Sequence, residues 1–401
     1  MGGDPLYAHG IDLAVILITL LKVVLTFVFL LLSVLLYIWW ERKFISDLQN
    51  RIGPDRAGPY GILQSLADGV KVFFKEDLLP AEADRRVYRL APYLAAVPAF
   101  TAFAIIPIGN TISIAGHQTY LQLANPPIGI LFLLAMSSIA VYGVFLAGWS
   151  SGSKYPLLGS VRASAQMISY EAAMSLAVAS VVLITGSLTT RDIWVHQSTW
   201  NWNLWQLGVV PFLIYIVAAT AEVNRPPFDL VEAEQELVGG YMTEYAGVRF
   251  ALYYLAEFMN TITVSAVAVT LFLGGPSGPH IDFLPALWPV VWFFLKLFVF
   301  VSAYVWLRAT LPRLRYDQLM DLGWKRLIPL ALYWLLLVAA LRIGDDANWP
   351  WGPGHSAWNA VTIVACAAGA GILYFGGLGA AIHVGRLRVE EETDRAGGVR
   401  I

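Results

Sequence analysis

Charge is what this chain has least of. Only 13% of its 401 residues are Asp, Glu, Lys or Arg, against 58% hydrophobic residues, about half the charged share of a soluble domain. A soluble protein of this length needs a polar shell, and these charges are too few to make one. Apolar runs of roughly 18 or more residues therefore read as transmembrane helices. Cysteine is nearly absent. Cys366 stands alone inside an apolar run, which excludes a disulfide within the chain and an iron–sulfur cluster held by four of its own thiolates. A net charge of −2 without a basic tract gives no support for nucleic acid as a partner. There is no Gly-rich phosphate loop, no GxSxG and no HExxH. The histidines lack ligand spacing, so no nucleotide and no metal site is expected.

What the chain has is apolar length. The pattern predicts an all-α, polytopic membrane helix bundle with about nine spans: 11–40, 91–109, 128–149, 162–186, 207–222, 249–274, 284–308, 327–343 and 357–381. The first run is far longer than the apolar core of a signal peptide and reads as an anchor. Residues 1–385 are expected to form one integral-membrane domain, with 386–401 a polar tail in the cytoplasm. Nine spans put the termini on opposite sides, and Lys and Arg decide which side is which. With the N-terminus outside, the inner segments hold nine such residues in 41–90, two in 150–162, two in 223–249, five in 308–326 and four after 382. Only Arg191 and Arg342 are then outside, with Lys22 and Lys296 inside spans. The expected orientation is N-out and C-in.

The first inner loop is the most organised. RIGPDRAGPYG carries turn signals at Gly53-Pro54 and Gly58-Pro59. An amphipathic helix follows over about 60–77, with Ile62, Leu63, Leu66, Val70, Phe73 and Phe74 on one face. Gln64, Asp68, Lys71 and Lys75 lie on the other. It is too short and polar to cross a bilayer and should lie in the interface.

The remaining charges carry the functional information. Glu171 falls nine residues into the span read as starting at Arg162, about 14 Å along it. Glu257 lies inside the sixth span, and Glu222 closes the fifth. Ionised carboxylates at such depth are costly and usually mark proton or ion paths; structural pairing between helices is the alternative. Immediately after Glu222 comes an acidic loop over about 222–248. Its stretch AEVNRPPFDLVEAEQELVGGYMTEY holds Glu222, Asp229, Glu232, Glu234, Glu236 and Glu244 with one arginine, Arg225. Carboxylates crowded among Pro and Leu repel one another and should have raised pKa values, which suits proton handling. A carboxylate-only Ca²⁺ or Mg²⁺ site is the alternative.

Four stretches together identify a family. They are ERKFISDLQNRIGPDRAGPYGILQSLADGVKVFFKED, AVYGVFLAGWSSGSKYPLLGSVRASAQMISYE, the acidic stretch above, and RATLPRLRYDQLMDLGWK. Along nearly its whole length the chain resembles the H-subunit family of bacterial proton-pumping NADH–quinone oxidoreductase (respiratory complex I), homologous to mitochondrial NADH dehydrogenase subunit 1. The resemblance implies a subunit of the bacterial cytoplasmic membrane that joins the hydrophilic and membrane arms and forms the quinone-tunnel entrance. By position, Arg42, Arg51, Arg56, Asp68, Phe228 and Arg249 correspond to residues of the quinone path. Asp229, Glu232, Glu234, Glu236 and Glu244 correspond to the acidic cluster beside the quinone, with Arg225 as a pairing residue. Glu222, Glu171 and Glu257 correspond to the start of the buried proton path. Quinone is then the shared substrate. Flavin and iron–sulfur clusters would belong to partner subunits, among them the one carrying the terminal cluster.

The chain also departs from the family pattern. Asp55 stands where Asn is usual, Ser65 where Pro is usual, and Val231 in place of a frequent Pro. Some members carry a Glu in the third span just before AVYG, where this chain has Ser137, Ser138 and Ile139. Two other readings fit the same loops: the equivalent subunit of a membrane-bound hydrogenase or a ferredoxin- or deazaflavin-linked complex, and, from another class, a stand-alone cation/proton antiporter.

Overall fold

A chain in hydrocarbon must satisfy its backbone N–H and C=O groups internally, so its apolar runs fold as helices. The computed structural model describes residues 4–346 apart from 8–9, 11, 115, 198–200, 231–237 and 280–286. In chain order its helices are α1 (Leu13–Leu48), α2 (Gln64–Phe73), α3 (Arg85–Ala102), α4 (Gly129–Ser150), α5 (Lys154–Thr185), α6 (Thr190–His196) and α7 (Asn203–Gln206). They continue as α8 (Val209–Glu222), α9 (Gly247–Phe272), α10 (Trp288–Thr310), α11 (Tyr316–Leu322) and α12 (Ile328–Asp346). A π-helical turn, Gly323–Leu327, joins the last two into one continuous stretch.

Seven stretches among the described residues are long and apolar enough to cross a membrane: α1, α3 with its 3₁₀ extension to Ile105, α4, α5, α9, α10 and Tyr316–Ile343. The protein is a polytopic helical membrane protein. The expected ninth span (357–381), Cys366 and the tail (386–401) lie outside the described residues. The one sheet described is a small hairpin, β1 (Thr111–Ile114) against β2 (His117–Tyr120), in the connection before α4.

Burial ranks the spans. In α9, 83% of the most apolar window is buried, against 17% in α1 and 22% in α10, so α9 is the core of the bundle and the other two face outward. Around it α3 packs against α4 and α9, and α5 against α4, α8 and α12. The 36 residues of α1 extend about 54 Å, well beyond the ~30 Å of hydrocarbon. The turns carrying Trp39 to Leu48 therefore project past one end of the membrane-spanning part.

One expectation needs correction. The fourth span does not begin at Arg162: α5 starts at Lys154 and has 32 residues, which places Glu171 about 25 Å along the helix rather than 14. Its polar first turns carry no apolar signal and were hidden by that. The fifth span is short, because α8 has only 14 residues and reaches about 21 Å. Irregular backbone is tolerated at such depth only when protein covers it. Here Gln166 of α5, fully buried, donates from Nε2 to the carbonyls of Ala221 (2.7 Å) and Phe228 (2.8 Å). It thus satisfies groups that a helix end leaves open.

The amphipathic stretch forms a helix over Gln64–Phe73, a shorter range than 60–77. The turn Pro59–Gly61 precedes α2, and Gly61 sits at φ +73° with its missing side chain against the Pro54 backbone, so only glycine fits there. Leu66, Val70, Phe73 and Phe74 are exposed along one side.

Candidate functional site

The projecting end of α1 meets the ends of α9 and α10 around a cavity of about 580 Å³. Ile38, Ile45, Ile52, Tyr254 and Phe258 supply apolar wall; Glu41, Arg42, Arg51 and Arg308 supply charge. This mixture suits an amphipathic ligand with an apolar body and a polar head. Arg42 Nη1 donates to Asp68 Oδ2 of α2 at 2.5 Å, and Gln64 Nε2 donates to Asp68 Oδ1 at 3.1 Å. Burial alone would push the Asp68 carboxyl up, but these hydrogen bonds outweigh it and hold the group below the usual carboxylate range. Helix α2 is thereby tied to the cavity mouth. Arg51 donates from Nε to Gln49 Oε1 at 2.7 Å, while Arg56 is exposed in the same loop and outside the cavity lining.

Behind the cavity lies a buried ion cluster. Glu41 and Arg225 are 5% and 4% exposed, far too buried to stand unpaired. Arg308 Nη1 donates to Glu41 Oε1. Arg225 Nη1 lies 3.8 Å from the same oxygen, and its Nε lies 3.4 Å from Glu257 Oε1 on α9. The Arg225 guanidinium also stacks over the Phe258 ring, 4.3 Å from its centroid, a geometry planar arginine adopts readily. One arginine thus bridges the cavity-side Glu41 and the interior Glu257.

The polar thread continues inward. Glu257 and Glu222 line one small cavity of about 40 Å³ with Asn224, Tyr241, Tyr253 and Asn260. Glu222 and Asn260 line a second, of about 20 Å³, with Ser137 and Tyr215. Each has room for about one water molecule or slightly more. Ser137 Oγ donates to Glu222 Oε1, and the neighbouring Ser138 Oγ donates to Glu171 Oε1 at 2.5 Å.

Other expected site residues fall elsewhere. Phe228 is buried against the Tyr170 ring at 5.4 Å and does not line the large cavity. Arg249 pairs with Asp77 at 2.9 Å and lies over the Tyr88 ring, also away from that lining. Asp229 is buried beside Arg313, 3.3 Å away. The backbone carbonyl of Glu244 accepts from Tyr88 Oη at 2.6 Å. Glu232, Glu234 and Glu236 lie outside the described residues. Sequence reasoning passed over Glu41, Asp77, Arg308 and Arg313. Glu41 opens the ERKF stretch and Arg308 the RATLPRLR stretch, where each reads as a charge at the edge of a span. Their partners are distant in sequence, and only the packing reveals them.

A cavity with a charged mouth, a paired ion cluster and a line of interior carboxylates thus lie at one end of a helical membrane protein. The chain belongs to the NADH dehydrogenase family, whose family model matches residues 21–339. It is 52% identical over 340 residues to the NADH-quinone oxidoreductase H subunit of Frankia alni, covering 83% of this chain and 75% of the relative. The H subunit of Frankia casuarinae is 53% identical over 340 residues, with the same coverage. That of Streptomyces avermitilis is 51% identical over 341 residues, again covering 83% and 75%. These relatives are subunits of an oxidoreductase complex.

Proposed function

We propose that this chain is the membrane subunit of a proton-translocating NADH–quinone oxidoreductase that admits the quinone and begins the proton path. The observation that carries this reading is continuity. The 580 Å³ cavity is lined by Glu41 and Arg308, Arg225 connects these to Glu257, one small cavity is shared by Glu257 and Glu222, and a second lies between Glu222 and Ser137. The names of the relatives favour NADH and quinone over hydrogenase chemistry.

In this reading the isoprenoid tail lies along Ile38, Ile45 and Ile52 while Arg42 and Arg51 face the polar head. Electrons come from partner subunits that hold the flavin and iron–sulfur clusters. Quinone reduction takes up protons as well as electrons, so the charge beside Glu41 changes during the reaction. Arg225, shared between Glu41 and Glu257, then shifts its balance between them, and the interior carboxylates respond by taking up or releasing protons. Asp229, Glu232, Glu234, Glu236 and Glu244 would serve as the acidic supply near the quinone. Residues 1–385 act as one membrane domain, N-terminus outside and C-terminus cytoplasmic.

Purification from membranes tests the reading. The chain should bring down flavin- and cluster-bearing subunits, including an NADH-binding one. A photoreactive quinone should label the peptide spanning 38–54. Hydrogenase-like partners would establish the first alternative, and a lone chain with cation/proton exchange the second. A reporter fused after Gly116 should report the outside and one at Gly239 the cytoplasm.

A further inference from the structure

We infer that Ser137 and Ser138 of α4 are positioning residues that hold Glu222 and Glu171 on one helix. The inference rests on the proton-path reading above and identifies what spans the gap between Glu222 and Glu171. Ser137 and Ser138 are the ninth and tenth residues of the 22-residue α4, half-buried near the middle of the helix. Consecutive residues of a helix point about 100° apart, so the two side chains reach different neighbours. Ser137 turns to α8 and donates to Glu222; Ser138 turns to α5 and donates to Glu171.

The choice of partner is informative. A serine or threonine inside a membrane helix ordinarily donates back to a carbonyl three or four residues earlier. In this protein Ser164, Ser169, Ser180, Thr185, Thr220, Ser265 and Thr270 do so. Ser137 and Ser138 instead direct their hydroxyls sideways to carboxylates. Their neighbours Leu133, Leu134, Met136 and Ala140, which line the same small cavity as Ser137, offer those carboxylates nothing polar. Two hydroxyls cannot supply a proton-accepting charge of their own, but they can fix two carboxyl groups that sit on different helices. Both are anchored to α4, so movement of one helix is transmitted to the orientation of the other carboxyl.

Alanine and threonine at each position distinguish this from simple packing. Alanine is smaller than serine and removes the hydroxyl, whereas threonine keeps it and adds a methyl group. Expected is a roughly tenfold fall in coupled quinone-reduction turnover for Ser137→Ala or Ser138→Ala, the scale of one lost hydrogen bond to a charged group. The quinone KM should be unchanged, and Ser→Thr at either position should restore most of the rate. In infrared difference spectra, alanine should displace the carboxyl band that Glu222→Gln or Glu171→Gln abolishes. The inference is overturned if threonine is worse than alanine, if both alanine variants turn over normally, or if they no longer co-purify with partner subunits. Normal pumping in Glu222→Gln and Glu171→Gln with the serines intact would instead defeat the proton-path reading. Impaired glutamate variants with a normal double-alanine variant would defeat only the serine inference.

Discussion

The two ends of this helical bundle treat buried charge in opposite ways. At the end where α1 begins, Lys22 pairs with Asp4 at 2.9 Å and donates to Thr119 of the hairpin. Burial tends to raise the Asp4 carboxyl, yet the Lys22 hydrogen bond and backbone N–H of Leu6 keep it below its ordinary range. Lys296, in α10, donates to the carbonyls of Leu273, Gly275 and Ser277 at 2.6–2.9 Å. Both lysines there have close partners that tie a loop to a helix. At the other end Arg225 is stretched between two glutamates at 3.4 and 3.8 Å, and Glu41 is shared between two arginines beside a 580 Å³ cavity. Tight, private pairing makes a structural staple. Shared pairing next to open space leaves each ion dependent on more than one partner.

The largest expected effect breaks that shared pairing outright. Arg225→Met leaves Glu41 and Glu257 buried with half their compensation, a loss of about 3–5 kcal/mol, and the assembled protein should become scarce in membranes. Lys296→Met leaves only carbonyls short of donors, about 1–3 kcal/mol, and the protein that accumulates should retain full quinone reductase turnover. Thermal unfolding in detergent and turnover per assembled complex measure both. Equal loss of activity per complex in the two variants would erase the distinction between the ends.

Next in size are the cavity-mouth residues. Arg42→Ala should raise the quinone KM roughly tenfold, the scale of a lost charged hydrogen bond, while NADH oxidation by a soluble acceptor upstream of the quinone persists. Loss of both activities would make Arg42 an assembly residue.

The smallest effect is that of Asp68, and it should be independent of pH near neutrality. The Asp68 carboxyl is depressed in the folded protein, so its ionised contact with Arg42 contributes stability above the unfolded carboxylate pKa of about 3.9. That contribution is lost only as pH falls through the lower folded value. Asp68→Asn should therefore lower activity by a constant factor between about pH 6 and 8, without altering the shape of the profile. A changed profile in that window would mean that Asp68 itself titrates during turnover.

Much of this organisation is legible in the sequence, for physical reasons that also explain what is not. The apolar runs locate the spans to within a few residues wherever the apolar run fills the helix, as in α4 and α10. They fail at the start of α5, where Lys154 to Arg162 is helical but polar, and so the pattern puts Glu171 too near the start of its helix. Glu222, Glu257 and Arg225 are conspicuous because charge in an apolar context is rare. Glu41 is not, because a charge at a span edge looks solvated until Arg225 and Arg308 are seen to close over it. The serine pair is legible only as a departure from the family pattern. That Ser137 and Ser138 each take a glutamate depends on how α5 and α8 pack against α4, which no local pattern encodes.

The central claim is that the interior carboxylates carry protons in step with quinone chemistry, and Glu222 is its most exacting test. Gln at this position preserves shape and removes a buried charge, so assembly should survive, but it cannot bind or release a proton. Acidification should be measured in proteoliposomes containing the intact complex with Glu222→Gln, alongside the rate of quinone reduction in the same vesicles. The account predicts that both fall together, by at least about a hundredfold, the scale of a lost proton-transfer group. Normal pumping at a normal reduction rate would contradict it.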